Sequence, residues 1–245
     1  MPLNPFCRSA LAPASTIAAR AFAFWSGDIS SIAPIHALTC SEGQSPDSVA
    51  GMAEIAVQVI EALKLPQIDA LGFSLGGSIV QHLLIDKPSL IRTAVLVGSA
   101  PQGSSGFRQL PDVISTAIKT KGATGRPLRA LLFFTDTESG RAEAEYLKNI
   151  NNHSVDPEAH VPEQTMGAQG KALVTWGSMP ENTEQLAQIK QPVLIVNGSD
   201  DSLAPTLESV TLFQHQLFFA RVKVRQASAI LTPRNATAFP AISRR

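Results

Sequence analysis

A chain of 245 residues with 44% apolar side chains is long enough for one large α/β domain or two small ones. Lys plus Arg and Asp plus Glu number 20 each, which excludes a strongly basic nucleic-acid binder and an acidic tail protein as first readings. Charged residues are 16% and no apolar stretch approaches the roughly 18 residues of a bilayer span, so the composition is that of a globular protein without a membrane helix. Cys7 and Cys40 are too few for a disulfide scaffold and lack metal-ligand spacing.

The front of the chain, residues 1–44, is atypical. Residues 1–27 contain no Asp or Glu, are rich in Ala and Ser, and carry Arg8 and Arg20. A cytoplasmic location is expected, and a mitochondrial-type presequence is the alternative that this composition raises. A core region begins at residue 45. Ser45-Pro46-Asp47-Ser48 predicts a helix start, with Ser45 as cap, proline at the first helical position and an acid in the first turn. Met52, Ile55, Val59, Ile60 and Leu63 then recur at helical spacing as far as Leu65-Pro66. Ile68 to Phe73 reads as a buried strand despite Asp69, Ser78 to Ile85 as a helix, and Ala94 to Val97 as the next strand. Short apolar strands alternating with helices predict a parallel sheet covered by helices on both faces.

From residue 101 to 188 the pattern changes. Amphipathic segments around Leu128–Phe134 and Arg141–Ile150 precede the Asn151–Pro162 loop and a helix near Gln169–Trp176, with no strand between them. This stretch is expected to be a helical lid, against the plainer reading of crossover helices. The core resumes over 189–208 with the strand Pro192–Val196, followed by Asn197-Gly198-Ser199-Asp200-Asp201. Residues 209–245 form a divergent end with no acidic residue, whose Thr211–Leu217 reads as a helix and Arg221–Arg225 as a strand.

The chemistry centres on Gly72-Phe73-Ser74-Leu75-Gly76-Gly77. A strand that passes at once into a helix must bend sharply, and small residues two before and two after the serine leave room for the bend. Ser74 Oγ is then presented at the carboxyl end of the sheet. The following helix directs its unbonded N–H groups at a developing oxyanion, Leu75 N–H first among them. A helix-capping serine in some other α/β protein is the plain alternative.

Residues from about 41 to 208 resemble the α/β-hydrolase superfamily, near its esterase and haloperoxidase-like members with a helical cap. The resemblance rests on the helix 48–63, on Ile68 through Ser78, and on Pro192 through Pro205. It implies an α/β-hydrolase-type parallel sheet with a helical lid, its early strands incomplete because only about 45 residues precede the match. It also implies a serine nucleophile, a carboxylate and a histidine in that chain order, with no metal or organic cofactor and a small-molecule substrate. The serine falls on Ser74, the carboxylate on Asp201 in preference to Asp200, and an oxyanion donor on Leu75. No His-Gly-type turn stands at the front to supply the second oxyanion donor.

The histidine expected after one further strand has no counterpart, since none follows His215. His215 lies on the helix before that strand, His82 on the helix leaving the elbow, His153 and His160 in the lid loop, and His36 before the match. Two functions therefore stand side by side. One is a serine hydrolase of small esters or related carbonyl substrates; the other is a catalytically dead relative, or a truncated or frameshifted product, without the base. Phosphate-loop, dinucleotide and zinc patterns are missing, and a nucleic-acid partner is not expected. The sequons at Asn152, Asn197 and Asn235 carry little weight.

Overall fold

In a computed structural model of the chain, the described residues are 45–124, 131–132, 141, 163–198, 201, 203–215 and 221–225, with 213–215 and 221–225 described by backbone alone. The chain order is α1 (Val49–Ala62), β1 (Ile68–Phe73), α2 (Leu75–Asp86), a 3₁₀ turn (Pro88–Leu90) and β2 (Ile91–Val97). It continues with α3 (Ser105–Arg108), α4 (Leu110–Thr124), α5 (Glu163–Ser178), α6 (Thr183–Leu186), β3 (Val193–Gly198), α7 (Thr206–His215) and β4 (Arg221–Arg225). The described strands form one sheet in the order β1-β2-β3-β4, with every neighbouring pair parallel. The expectations for the early strands, for 128–130 and 133–134 and for 142–162 fall outside the described residues.

Parallel neighbours need crossovers, and the helices supply them. α2 links β1 to β2 and packs on both, α1 packs on α2, and α7 lies against β3 and β4. The core gathers Met52, Leu84, Ile91, Leu96, Leu186, Ile195 and Leu212, each no more than 2% exposed. In β1 and β2 burial alternates along the strand, as expected where one face is better covered than the other. Asp69 is on the exposed positions of β1. Its carboxylate accepts from Arg92 Nε (2.8 Å), Arg92 Nη2 and Thr93 Oγ1 (2.7 Å), all on β2. The hydrogen bond from Arg92 leads the causes that hold the Asp69 carboxyl below the usual range.

The start of α1 is a correction to the sequence reading. Ser48, not Ser45, caps the helix: it has extended backbone (φ −140°, ψ 149°) and its Oγ accepts from Gly51 N at 3.1 Å. Pro46 remains outside, packed beside Gly51, where an added Cβ would come 3.0 Å from Pro46 Cβ. Asp47 reaches across to Lys171 of α5 (2.5 Å) instead of serving the first turn. Ser45 and Ser48 share the same capping chemistry, and the hydrogen bond from Gly51 N selects Ser48.

Close backbone approach, more than side-chain volume, fixes how α2 meets the sheet. An added Cβ on Gly72 would lie 2.4 Å from Gly76 O, and one on Gly77 would lie 2.4 Å from Ser99 Cβ. Gly122, on α4, has nothing within 4 Å of that position. Gly72→Ala should therefore lower the unfolding free energy by roughly 3 kcal/mol or more, the upper range of overpacking. Gly122→Ala should raise it by roughly 0.5–1 kcal/mol through helix propensity. Urea denaturation separates the two, and coincident midpoints would contradict the packing argument.

Candidate functional site

The site begins where β1 stops. Ser74 has φ 50° and ψ −117°, and among the described residues only Lys64 shares a positive φ without being glycine. Such a conformation costs on the order of 1–3 kcal/mol and persists only where the surroundings enforce it. Here Ser74 N donates to Val97 O at 2.9 Å, which pins the turn to the end of β2. Ser74 O accepts from Gly77 N at 2.9 Å, which starts α2 immediately. Gly72 and Gly76 meet backbone to backbone within this turn.

Ser74 stands at the capping position of α2 but makes no side-chain cap hydrogen bond. Ser48 on α1 shows what a capping serine does, in extended backbone with its hydroxyl on a first-turn amide. The contrast argues against the plain capping reading of Ser74. Leu75 is the first residue of α2, so helix geometry leaves its N–H without an intrahelical acceptor.

Register carries the site across the sheet. Phe73 pairs with Val97 and Val97 with Val196, so Ser74, Gly98 and Asn197 form the next row at the carboxyl edge. Asp201 follows four residues after Asn197 and is 8% exposed. Its Oδ2 lies 3.8 Å from the position of an added Cβ on Gly98, at the end of the strand between β1 and β3. Ser74 and Asp201 therefore occupy the same edge of the sheet. Asp200 is outside the described residues.

The turn that presents Asp201 is closed by several hydrogen bonds. Asp201 Oδ1 accepts from Leu203 N (3.0 Å) and Ala204 N (2.9 Å), an Asx-type turn. Asn197 Nδ2 donates to Ala204 O at 2.7 Å, and Thr206 Oγ1 donates to Gly198 O. Asn197 is fully buried, and its Oδ1 has no hydrogen-bond partner among the described residues. The sequence reading missed the structural part of Asn197 and Thr206. The available signal was an amide side chain at the end of an otherwise apolar strand, where a buried polar group must find a partner.

The histidines do not converge on this edge within the described residues. His82 Nε2 lies 3.2 Å from Asp86 Oδ2, one turn further along α2 and about 12 Å of helix rise from Ser74. His215 is the last residue of α7, ahead of β4 as the sequence suggested. His36, His153 and His160 lie outside the described residues. β4 itself forms over the five residues read as a strand, and it pairs parallel to β3.

The helices between β2 and β3 are rooted beside the same edge. Ala100 O accepts from Trp176 Nε1 of α5 (3.3 Å) and from Gln81 Nε2 of α2 (3.1 Å). α5 also packs on α3 at Gly177, where an added Cβ would lie 2.5 Å from Arg108 N. The helices α3 and α4, not singled out in the sequence, lie within the stretch 101–188 expected to be a lid. An apolar groove between α4 and α5 is bordered by Leu110, Ile114, Ile118 and Val174, and neither Ser74 nor Asp201 lines it.

The hydrogen bond from Asn197 yields a stability prediction. Asn197→Ala leaves the Ala204 carbonyl without its donor and should cost about 1–3 kcal/mol in chemical denaturation. Asn197→Asp should be no better, because a carboxylate has no N–H to offer. A wild-type midpoint for either variant would count against this closure of the acid turn.

Comparison with known proteins places this geometry. The family described as the alpha/beta hydrolase fold matches residues 37–228, a range that extends through β4. The homoserine O-acetyltransferase of Deinococcus radiodurans is 25% identical over 182 residues, covering 70% of this chain and 54% of its own length. This chain thus spans about half the length of that relative. An alpha/beta hydrolase fold protein from Chitinophaga pinensis superposes with a TM-score of 0.68 at 34% identity, over 76% of this chain and 66% of its own. The enol-lactonase of Burkholderia xenovorans LB400 shares the fold at 19% identity with a TM-score of 0.58, over 81% of this chain and 71% of its own. No described helix is long and apolar enough to cross a membrane. A match that takes in every described strand, together with the turns at both Ser74 and Asp201, makes this chain a member of the alpha/beta hydrolase family.

Proposed function

We propose that Ser74 is the nucleophile of a hydrolase site for small esters or related carbonyl substrates. The observation that carries the reading is the positive-φ turn that sets Ser74 at the carboxyl edge of the sheet without a capping bond. In this reading the Ser74 hydroxyl attacks the carbonyl carbon and Leu75 N–H donates to the oxyanion. Asp201 orients and stabilises the base that takes the serine proton. The stretch 101–188 then acts as the lid that shapes the substrate pocket. The reaction class draws support from relatives whose names denote acyl transfer and lactone hydrolysis.

A second reading is favoured by one observation, that residues 226–245, which follow β4, contain no histidine. Without a base the serine hydroxyl stays protonated at neutral pH, and the fold serves as an inert or binding relative. The two readings separate on p-nitrophenyl acetate, assayed with the wild type, Ser74→Ala and each of the five histidine-to-alanine variants. We expect turnover that Ser74→Ala lowers, whereas a rate no more than about a thousandfold over water that Ser74→Ala leaves unchanged is what oxyanion donors and binding give on their own and favours the second reading. Brisk turnover abolished both by Ser74→Ala and by one histidine variant would name that histidine as the base and overturn the second reading.

A further inference from the structure

Glu208, in the first turn of α7, gathers donors from a segment about a hundred residues earlier. Its Oε1 accepts from Ser105 N (2.8 Å), Ser105 Oγ (2.6 Å) and Gly106 N (3.4 Å), and its Oε2 accepts from Ser104 Oγ. Ser104 is also the cap of α3, its Oγ accepting from Phe107 N at 3.2 Å. A carboxylate is the side chain suited to this place, because the groups around it all donate. A glutamine would present an N–H₂ group to one side of the cluster.

The same segment touches the acid turn directly. An added Cβ on Gly106 would lie 2.3 Å from Pro205 Cδ and 2.6 Å from Leu203 O. Leu203 and Ala204 are the residues whose N–H groups hold Asp201 Oδ1, and Glu208 N donates to Pro205 O at 2.9 Å. On its other side α3 is held by α5, through Gly177 and through Gly103 N donating to Trp176 O at 3.0 Å. A continuous run of contacts therefore connects Asp201, its turn, Glu208, α3 and α5.

We propose that Glu208 is a positioning residue: its carboxylate locks the Leu203–Pro205 turn onto α3, so that Asp201 and the root of the helical segment move as one body. The role for Asp201 rests on the hydrolase reading above, whereas the mechanical coupling does not. Asn197 and Thr206 close the turn on itself, and Glu208 is what fastens it to the helices that follow β2.

Hydrogen–deuterium exchange on the full chain tests the coupling in both directions. Glu208→Gln should speed exchange at least tenfold in peptides covering 104–108 and also at Leu203 and Ala204, with α1 unchanged. Asp201→Ala should speed exchange at Leu203 and Ala204 and also at Ser105 and Gly106. If Glu208→Gln unfolds the chain, Ser104→Ala with Ser105→Ala removes two donors, leaves the carboxylate, and should give the same two-site pattern. Effects confined to the mutated side in these variants would overturn the proposal. In the ester assay Glu208→Gln should lower kcat at least fivefold with KM within twofold. A Ser74→Ala variant as active as wild type would remove the hydrolase reading and leave the exchange result standing. An unchanged kcat in Glu208→Gln, beside an inactive Ser74→Ala, would remove the positioning role alone.

Discussion

The rest of the site depends on the reversal between β1 and α2. A residue with a side chain is held at φ 50° because Val97 O and Gly77 N bind its peptide groups from either side. That is possible only if the two arms of the turn come closer than side chains allow, and Gly72 faces Gly76 at that distance. The strain of Ser74 and the bareness of Gly72 and Gly77 are thus one feature seen from two sides. Loss of close approach would let the serine relax toward an ordinary capping conformation, like that of Ser48, and draw its hydroxyl back onto the helix.

The acid side of the edge is built by different means. Around Asp201 the order comes from hydrogen bonds, with backbone N–H groups on Oδ1 and the Asn197 amide on the carbonyl opposite. Burial raises the stakes of each bond, since an unmet polar group in a low-dielectric interior is costly. Parallel register then aligns the two constructions at one edge of the sheet. β2 lies between the two, and Gly98 at its end takes a positive φ of 53°, with Phe73 and Asp201 beside it.

Elements whose signal was local were legible in the sequence. β1 runs over the Ile68–Phe73 read as a strand after Pro66, and β4 over the Arg221–Arg225 read as one. The sharp turn at Ser74 was legible because such a turn demands small neighbours at fixed spacing, which Gly72 and Gly76 supply. What was not legible depended on distant partners. The choice of Ser48 over Ser45 rested on which amide lay within reach. The part played by Asn197 rested on a carbonyl seven residues away, and that of Glu208 on a segment with no sequence proximity at all. α4 escaped notice for another reason: only Ala117 on it is buried, so its apolar stripe is faint.

The dipeptide Asn197-Gly198 has a chemical consequence of its own. Asparagine followed by glycine is prone to cyclise and lose ammonia when the chain is free, since an unhindered glycine nitrogen can reach the side-chain carbonyl. Extended in β3, fully buried, and with its amide nitrogen committed to Ala204 O, this asparagine is held away from that reaction. Each excursion to the unfolded state reopens it. Deamidation there would put a carboxylate against the Ala204 carbonyl, so the chain's chemical ageing is set by the fraction of time it spends unfolded.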